Sequence, residues 1–506
     1  VAEGLADTVI HGAGLSGLGW GLAQAITLAS YLVLARLATP SEFGEMAAAS
    51  ILVSIGFLFT ESGMNSALVQ RTDRLEEAAN TALISTFLSG IGLSLLAVAA
   101  APLVGLAFED GHIGLVSAVL APLLFFQTIT VVPDSLLQRR FSFVRRTIIG
   151  PAAAIAFGAG AIAATAAGLG VWGLVIGQYV AAVVDVALAW ALSRWKPRPR
   201  LASVAMWREL VGFGRHVIGA GIVQRTTEQL DRFLLGRFSG TAVLGQYGYA
   251  YRLASTPYMA VMVVGGWVLF PAFARIAAER ERFRAAFLRS LFWICALGFP
   301  LGLILFPLGE PLAVLLFGDT WRPAGHATML LCLFPAANAV FTVALEALKG
   351  DGRPELFLRV YVVLGVLTTV LMLSLLPIGL DGIAGALSLA SVGGATYALF
   401  VFHRVHPISW PRLLGEIWPA ALAAALMAGA LYPLEHLVVH SDQRAVVLGL
   451  LLVFCEAAIG AVLYLALLSL FARGSFAELR GMARTLANKL GHSMRQRAKD
   501  GGTSNA

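Results

Sequence analysis

The sequence predicts an all-α polytopic membrane protein of about 14 transmembrane helices. Three observations predict it. Of the 506 residues, 58% are hydrophobic and only 13% are charged, and the mean hydropathy is +0.80. Apolar runs long enough for a spanning helix recur along nearly the whole chain. The Lys and Arg residues gather in alternate connections between those runs. Soluble domains carry about 25% charged residues, and a water-soluble globule of this size has too much surface for half that share. Most soluble enzymes, nucleic-acid binders and disordered scaffolds are thereby excluded. A span takes roughly 20–22 residues, so ~14 spans use about 300 residues and leave short loops and a tail.

In chain order the runs fall at about 14–36, 44–66, 80–104, 114–136, 147–168, 171–193, 212–236, 243–272, 286–308, 325–347, 357–378, 381–403, 413–434 and 446–471. The first is too long for the apolar core of a signal peptide and reads as a span. The seventh is the least apolar, with Arg215, Arg225, Glu228, Asp231 and Arg232. Place the N-terminus in the cytoplasm and let the chain alternate. Then 29 of the 36 Lys and Arg residues fall in cytoplasmic connections or the tail. Four fall outside (Arg36, Arg237, Arg322, Arg444) and three within spans (Arg225, Arg232, Arg252). A miscounted span would invert every later loop, so this bias supports fourteen spans with both termini cytoplasmic.

Internal matches predict a duplication. Leu34, Arg36 and Gly44 recur as Leu235, Arg237 and Gly245, an offset of about 201. The segment Pro102–Asp110 matches Pro311–Asp319, offset about 209, and Gly170–Gly173 matches Gly382–Gly385, offset about 212. An offset of six spans keeps the same orientation, so the repeats are parallel. The expected organisation is a first six-helix lobe over 1–194, a basic linker over 195–210 and a second six-helix lobe over 211–404. Two extra helices over 405–472 and a tail over 473–506 complete it. Two such lobes enclose a central cavity that opens alternately to each side. The linker carries Trp195, Lys196, Arg198 and Arg200 between prolines and reads as a hinge. The tail, Phe476–Lys499, reads as a basic amphipathic helix on a surface of anionic lipids.

Several stretches resemble a known family. They are Glu61–Arg71, Leu136–Phe143, Gly168–Leu174, Leu230–Gly236 and Gly245–Arg252, spread in order over spans 2 to 8. On them the chain is similar to the polysaccharide transporter, or lipopolysaccharide and exopolysaccharide exporter, branch of the multidrug/oligosaccharidyl-lipid/polysaccharide (MOP) flippase superfamily. The resemblance implies a protein of the bacterial inner membrane. It also implies movement of a polyprenyl-pyrophosphate-linked glycan from the cytoplasmic to the periplasmic leaflet, alongside polysaccharide polymerase machinery, with an ion gradient (H⁺ or Na⁺) resetting the cycle.

Such a cargo calls for cationic and sugar-binding groups in the cavity. A charge at the bilayer centre costs about 2.5–3.5 kcal/mol on insertion scales, so embedded charges mark a wet cavity or a partner. Arg225 is read as a pyrophosphate contact, because a guanidinium offers a planar fork of donors. Glu228 and Asp231 are the coupling-ion candidates. The competing reading is self-neutralised pairing of Arg225, Glu228 and Arg232 at i,i+3 and i,i+4 spacing. Arg252, with Tyr249 and Tyr251 ahead of it, is a second substrate contact; the tyrosines also fit an interfacial aromatic belt. Gln24 falls opposite Arg225 under the 201 offset and is a candidate for the other wall. Arg36 and Arg237 read as snorkelling to the headgroups. Glu61 and Asp134 read as structural partners of Arg71, Arg139 and Arg140, and Asp185 and Glu456 as lone acids within spans.

No catalytic residue, metal site or cofactor is expected. The three cysteines, Cys295, Cys332 and Cys455, lie in apolar stretches and read as small core hydrophobes. His436 and His440 have no carboxylate shell in sequence and read as solvated loop residues. There is no Walker A sequence. Two other cargoes fit the same fold: a lipid II flippase, with similar cavity charge, and a cation-coupled multidrug exporter, which the embedded arginines and the acid-free first span disfavour. A membrane glycosyltransferase, polymerase or ligase needs a catalytic outer loop, and no outer loop here exceeds roughly 20 residues.

Overall fold

The computed structural model describes residues 2–61, 68, 73–139, 143–264 and 269–472. The tail therefore lies outside the described residues. Among the described residues every regular element is helical. The first half of the chain forms α1 (Ala2–Leu37), α2 (Pro40–Glu61), α3 (Leu75–Phe108), α4 (Gly111–Leu120), α5 (Leu123–Arg139), α6 (Phe143–Ala166) and α7 (Val171–Ser193). The second half forms α8 (Val204–Ser239), α9 (Thr241–Val264), α10 (Phe270–Ile276), α11 (Arg280–Leu303), α12 (Leu305–Phe317), α13 (Arg322–Leu330), α14 (Leu333–Gly350), α15 (Pro354–Leu375) and α16 (Leu380–Val405). Two long helices follow, α17 (Trp410–Leu434) and α18 (Val446–Phe471).

Among the described residues each expected apolar run coincides with a helix or with two successive helices. Among the described residues, ten segments are long and apolar enough to cross a membrane, or eleven if α13 and α14, bent by 41°, make one span. Helices α2, α8 and α9 fall outside that count. The side chains of these three are described only in part; in sequence the charge cluster in α8 and Arg252 among polar neighbours in α9 also lower apolarity. The outer surface is that of a membrane protein. Leu95, Leu96, Leu103 and Leu106 of α3 are at least 65% exposed, and Val447, Phe454 and Val462 of α18 at least 69%. Contiguous bare apolar helix faces of this size are stable against lipid and not against water.

Small residues bring the helices together, as in other membrane bundles. A Cβ on Gly158 of α6 would overlap Ser30 of α1, and one on Gly177 of α7 would overlap Ala161 of α6. Backbone events recur along the chain. A break at Ala121–Pro122 separates α4 from α5, and one at Leu331–Cys332 separates α13 from α14. Gly170 (φ 56°, ψ −128°) starts α7 and Gly379 (φ 72°, ψ −133°) starts α16. Both occupy a region that a Cβ disfavours. This pair corrects the third sequence match: Gly170 corresponds to Gly379, not to Gly382, and the offset stays near 209.

The linker is fastened rather than free. Ser203 accepts from the Met206 N–H at 3.1 Å, capping α8, and donates to Glu77 at 2.7 Å. The Ser203 N–H donates to Thr81 at 3.1 Å, and the Arg198 N–H to Asn80. Trp195, Met206 and Leu210 pack with Ala78, Ala79 and Ala82 of α3. The hinge expected at 195–210 is thus a strap bound to the start of α3, because the buried Asn80 and Thr81 supply partners for its backbone.

Candidate functional site

The halves meet most closely at the charge-poor end, where the α1–α2 and α8–α9 turns lie. Ser41 Oγ and Thr241 Oγ1 are 2.9 Å apart. Gly44 lies against the Thr241 backbone and Gly245 against the Pro40 backbone, so close that a Cβ on either would overlap the facing carbonyl oxygen. Around this contact an aromatic plug forms from Tyr31, Phe43, Tyr249, Phe317 and Trp321, with Tyr249 and Trp321 centroids 4.0 Å apart. Its polar atoms are satisfied, Tyr249 and Trp321 across the halves and Gln246 within the second half. Tyr249 donates to the Tyr31 carbonyl at 3.1 Å and Trp321 to the Ala35 carbonyl at 3.0 Å. Gln246 donates to the Thr320 carbonyl at 2.8 Å and accepts from the Ala324 N–H at 3.0 Å.

Arg36 and Arg237 join this closure. Arg36 donates to the Leu315 carbonyl at the end of α12 (2.9 Å), and Arg237 pairs with Glu109 just past the end of α3 (2.6 Å). Each half thus reaches the corresponding helix end of the other, whereas the sequence suggested headgroup snorkelling. A carbonyl left free at a helix C-terminus is a fitting guanidinium partner.

Beneath the plug, two cavities meet at Arg232. The smaller, about 200 Å³, is lined by Tyr31, Ser50, Gln178, Arg232, Tyr249 and Arg252 among others. The larger, about 600 Å³, extends from Gln229, Asp231, Arg232 and Tyr251 past Asn338 and Ser391 to Glu346 and Lys349, near the basic end of α14. Arg252 lies over the Tyr31 ring, its guanidinium carbon 3.4 Å from the centroid, a cation–π contact. Arg232 donates to Gln229 at 3.3 Å. Among the described residues neither arginine is in an ion pair. Asp231, next to Arg232 in sequence, is buried and turned into the wall: it accepts from the Tyr247 hydroxyl at 2.6 Å and from the Arg232 N–H at 2.7 Å. Glu346 is paired with Lys349 at 2.8 Å. The junction thus presents two guanidinium groups and several amide and hydroxyl groups, an environment suited to a phosphate and polar sugar rather than to a cation.

Of the residues singled out from sequence, Arg252, Tyr249, Tyr251 and Asp231 line these cavities. Tyr249 is 3% exposed and is mainly part of the plug. Gln24 is exposed on α1 and is not among the lining residues of either cavity. Arg225 and Glu228 lie on α8, with side chains outside the described residues. Sequence reasoning missed Arg232 as a cavity group, treating it as a partner for Glu228. The signal was available: Arg232 lies seven residues, two helical turns, after Arg225 and so on the same helix face. Asp134 pairs with Arg146 (2.8 Å), which was not among the arginines expected. Cys295 and Cys332 are buried as expected, while Cys455 is exposed on α18. Among the described residues no group of three or more His, Cys, Asp or Glu side chains is arranged to hold a metal ion.

The fold is that of a membrane transporter. It superimposes on the lipid II flippase MurJ in its inward closed conformation with a TM-score of 0.74 at 15% identity, covering 91% of this chain and 99% of that one. An inward-facing multidrug resistance MATE family transporter of the MOP superfamily gives a TM-score of 0.60 at 14% identity, covering 82% and 98%. A family model described as polysaccharide biosynthesis protein matches residues 33–325, more than half of the chain. The chain is also 29% identical over 465 residues to the succinoglycan biosynthesis transport protein ExoT of Rhizobium meliloti (strain 1021), covering 89% of this chain and 91% of that one. It is 24% identical to the lipopolysaccharide biosynthesis protein WzxC of Escherichia coli (strain K12), covering 70% and 72%. The chain therefore belongs to the polysaccharide biosynthesis and export proteins with the MOP-superfamily fold.

Proposed function

We propose that the chain flips a polyprenyl-pyrophosphate-linked oligosaccharide, a surface-polysaccharide repeat unit, from the cytoplasmic to the periplasmic leaflet of a bacterial inner membrane. It works by alternating access and is a transporter, not an enzyme. The observation that carries this is the pair Arg232 and Arg252 at the cavity junction, in a chain of a polysaccharide biosynthesis family, with Asp231 bonded into the wall. Arg232 and Arg252 take the pyrophosphate, and Arg225 extends the same line about 10 Å along α8. Tyr251 and Tyr249 contact the sugars, and Gln24 joins the opposite wall in another state of the cycle.

Fourteen spans arranged as 6 + 6 + 2 put both termini in the cytoplasm, with the plug at the periplasmic end and the larger cavity leading inward. The polyprenyl tail stays in lipid through a gap between the lobes. Glu228 or Asp231 binds the coupling ion, and the basic tail rests on anionic lipids. Polymerase machinery then consumes the flipped repeat unit.

The test is a deletion strain complemented with wild type, Arg232→Ala or Arg252→Ala, assayed for surface polysaccharide and lipid-linked intermediates. Expected are lost polymer and accumulated cytoplasmic-leaflet repeat units in the deletion, restored by wild type and by neither variant at equal membrane levels. Intact glycan with new sensitivity to cationic drugs moves the cargo to the multidrug class. A block in peptidoglycan synthesis moves it to lipid II.

A further inference from the structure

Glu435 and Glu456 lie outside the central cavity, where the last two long helices join. Glu435 opens the π turn that ends the α17 rod, and Glu456 lies on α18. Their exposures are 1% and 3%. Glu435 Oε1 accepts from both the backbone N–H and the hydroxyl of Ser441. Glu435 Oε2 and both oxygens of Glu456 have no hydrogen-bond donor among the described residues, and the two carboxyls face each other. The sequence reading of Glu456 as a lone acid is therefore incomplete: its neighbour is a second acid that closes the preceding helix.

Apart from the His436 ring, the surrounding charges are already engaged. Asp442 and Glu310 both bind Arg322, at 2.9 and 2.6 Å. Arg444 donates to the Val439 carbonyl at 3.4 Å. The His436 ring lies against Tyr432 at 4.4 Å, tilted by 52°, with its Nε2 buried and without a hydrogen-bond partner among the described residues, and His440 sits at the turn in a left-handed conformation. Helix α12 presents Leu308, Leu312 and Leu315 to α18, which adds Val453 to the same apolar cluster. No cation forms an ion pair with either carboxyl among the described residues.

An ionised carboxylate buried without donors is expensive, and two facing each other repel as well. A single proton relieves both penalties. The O–H of one carboxyl then donates to the free oxygen of the other, and the pair carries one negative charge held by the Ser441 donors. We propose that Glu435 and Glu456 bind one shared proton, making a proton site separate from the central cavity that holds α17 against α18. Release of that proton to water leaves two like charges across the helix joint. The turn carrying Ser441 and Asp442 is thereby loosened, and with it the Arg322 anchor to α12. The site does not depend on which cargo occupies the cavity.

The proposal is tested by infrared spectroscopy of the full chain in proteoliposomes, titrated across neutral pH in potassium buffer. Wild type is expected to show a protonated-carboxyl C=O band that disappears on raising the pH. The band should be lost in Glu456→Gln and equally in Glu435→Gln, and kept in Glu281→Gln, which alters an exposed acid on α11. The native state binds a proton that the unfolded chain lacks, so thermal stability of wild type should fall as pH rises through that transition. Glu456→Gln, whose amide can donate to Glu435, should fold and show no such fall. An unchanged band in both variants overturns the proposal. So does its loss from wild type on adding sodium at constant pH with a gain in stability, which would make the pair a cation site.

Discussion

Gly44 and Gly245 make reciprocal contacts: each lies against the first residue of the helix that carries the other, Gly44 on Thr241 and Gly245 on Pro40. The two positions are 201 residues apart, the offset at which Leu34 and Arg36 recur as Leu235 and Arg237. The closure at this end is therefore a symmetric contact between equivalent helix starts, and only glycine permits it. Adding a methyl at either position overpacks the joint, at a cost of about 1–3 kcal/mol. Gly44→Ala or Gly245→Ala should shift the balance away from the closed state about 5–150-fold. Accessibility of a cysteine placed at Ser50 to an impermeant reagent added from the periplasmic side measures it. Unchanged labelling would show that the contact is not a gate.

The same contact predicts a reversible lock. Ser41 and Thr241 already place their hydroxyls 2.9 Å apart. In a background free of Cys295, Cys332 and Cys455, the pair Ser41→Cys and Thr241→Cys should oxidise readily. Export, read as surface polysaccharide, should stop on oxidation and return with reductant. Full export by the oxidised protein would mean that this end never needs to open.

Arg232 and Arg252 should not tolerate lysine. A planar guanidinium stacks on Tyr31 and grips a phosphate through two donors, whereas an ammonium is a point charge. Each Arg→Lys variant should lose at least about tenfold in export rate, the equivalent of roughly 1.4 kcal/mol. The exposed Arg282, paired only with its helix neighbour Glu279, should lose almost nothing by the same change.

Fold and site were not equally legible in the sequence. The described part of each of the fourteen apolar runs is helical apart from short turns, because a chain with no water to bond its backbone must satisfy it internally. Both helix breaks have a proline in reach: Pro122 lies in the break at Ala121–Pro122, and Pro335 has no N–H to give the Leu331 carbonyl at the break at Leu331–Cys332. The strap at 195–210 read as a hinge because prolines and charges were visible. Its partners Asn80 and Thr81 lie more than a hundred residues away. Likewise the helical period put Arg225, Glu228 and Arg232 on neighbouring positions without showing which face meets the cavity. Asp231 looked like a free acid until Tyr247, sixteen residues later, was seen to hold it.

A pH effect follows from the opposite end of the bundle. His406, just past α16, stacks on Phe283 and Phe402, with Nε2 3.2 Å from Asp351. Burial lowers its pKa below the ordinary value; Asp351 opposes this and Arg284 and Arg353 add to it. The unfolded chain therefore takes up a proton that the native state resists, so stability is present above about pH 6.5 and lost as the pH falls below it. His406→Gln should flatten the acid side of the melting profile. An equally steep acid loss in the variant would remove His406 as its cause.

The central claim is that the chain carries a lipid-linked glycan between leaflets through the Arg232–Arg252 junction. The most direct measurement uses purified protein in vesicles loaded with a fluorescent polyprenyl-pyrophosphate oligosaccharide, with leaflet exposure read by an impermeant quencher. Wild type should bring inner-leaflet lipid within reach of the quencher, and Arg232→Ala and Arg252→Ala should reduce that rate at least about tenfold at matched protein density. Equal rates in wild type, variants and empty vesicles would contradict both the activity and the site.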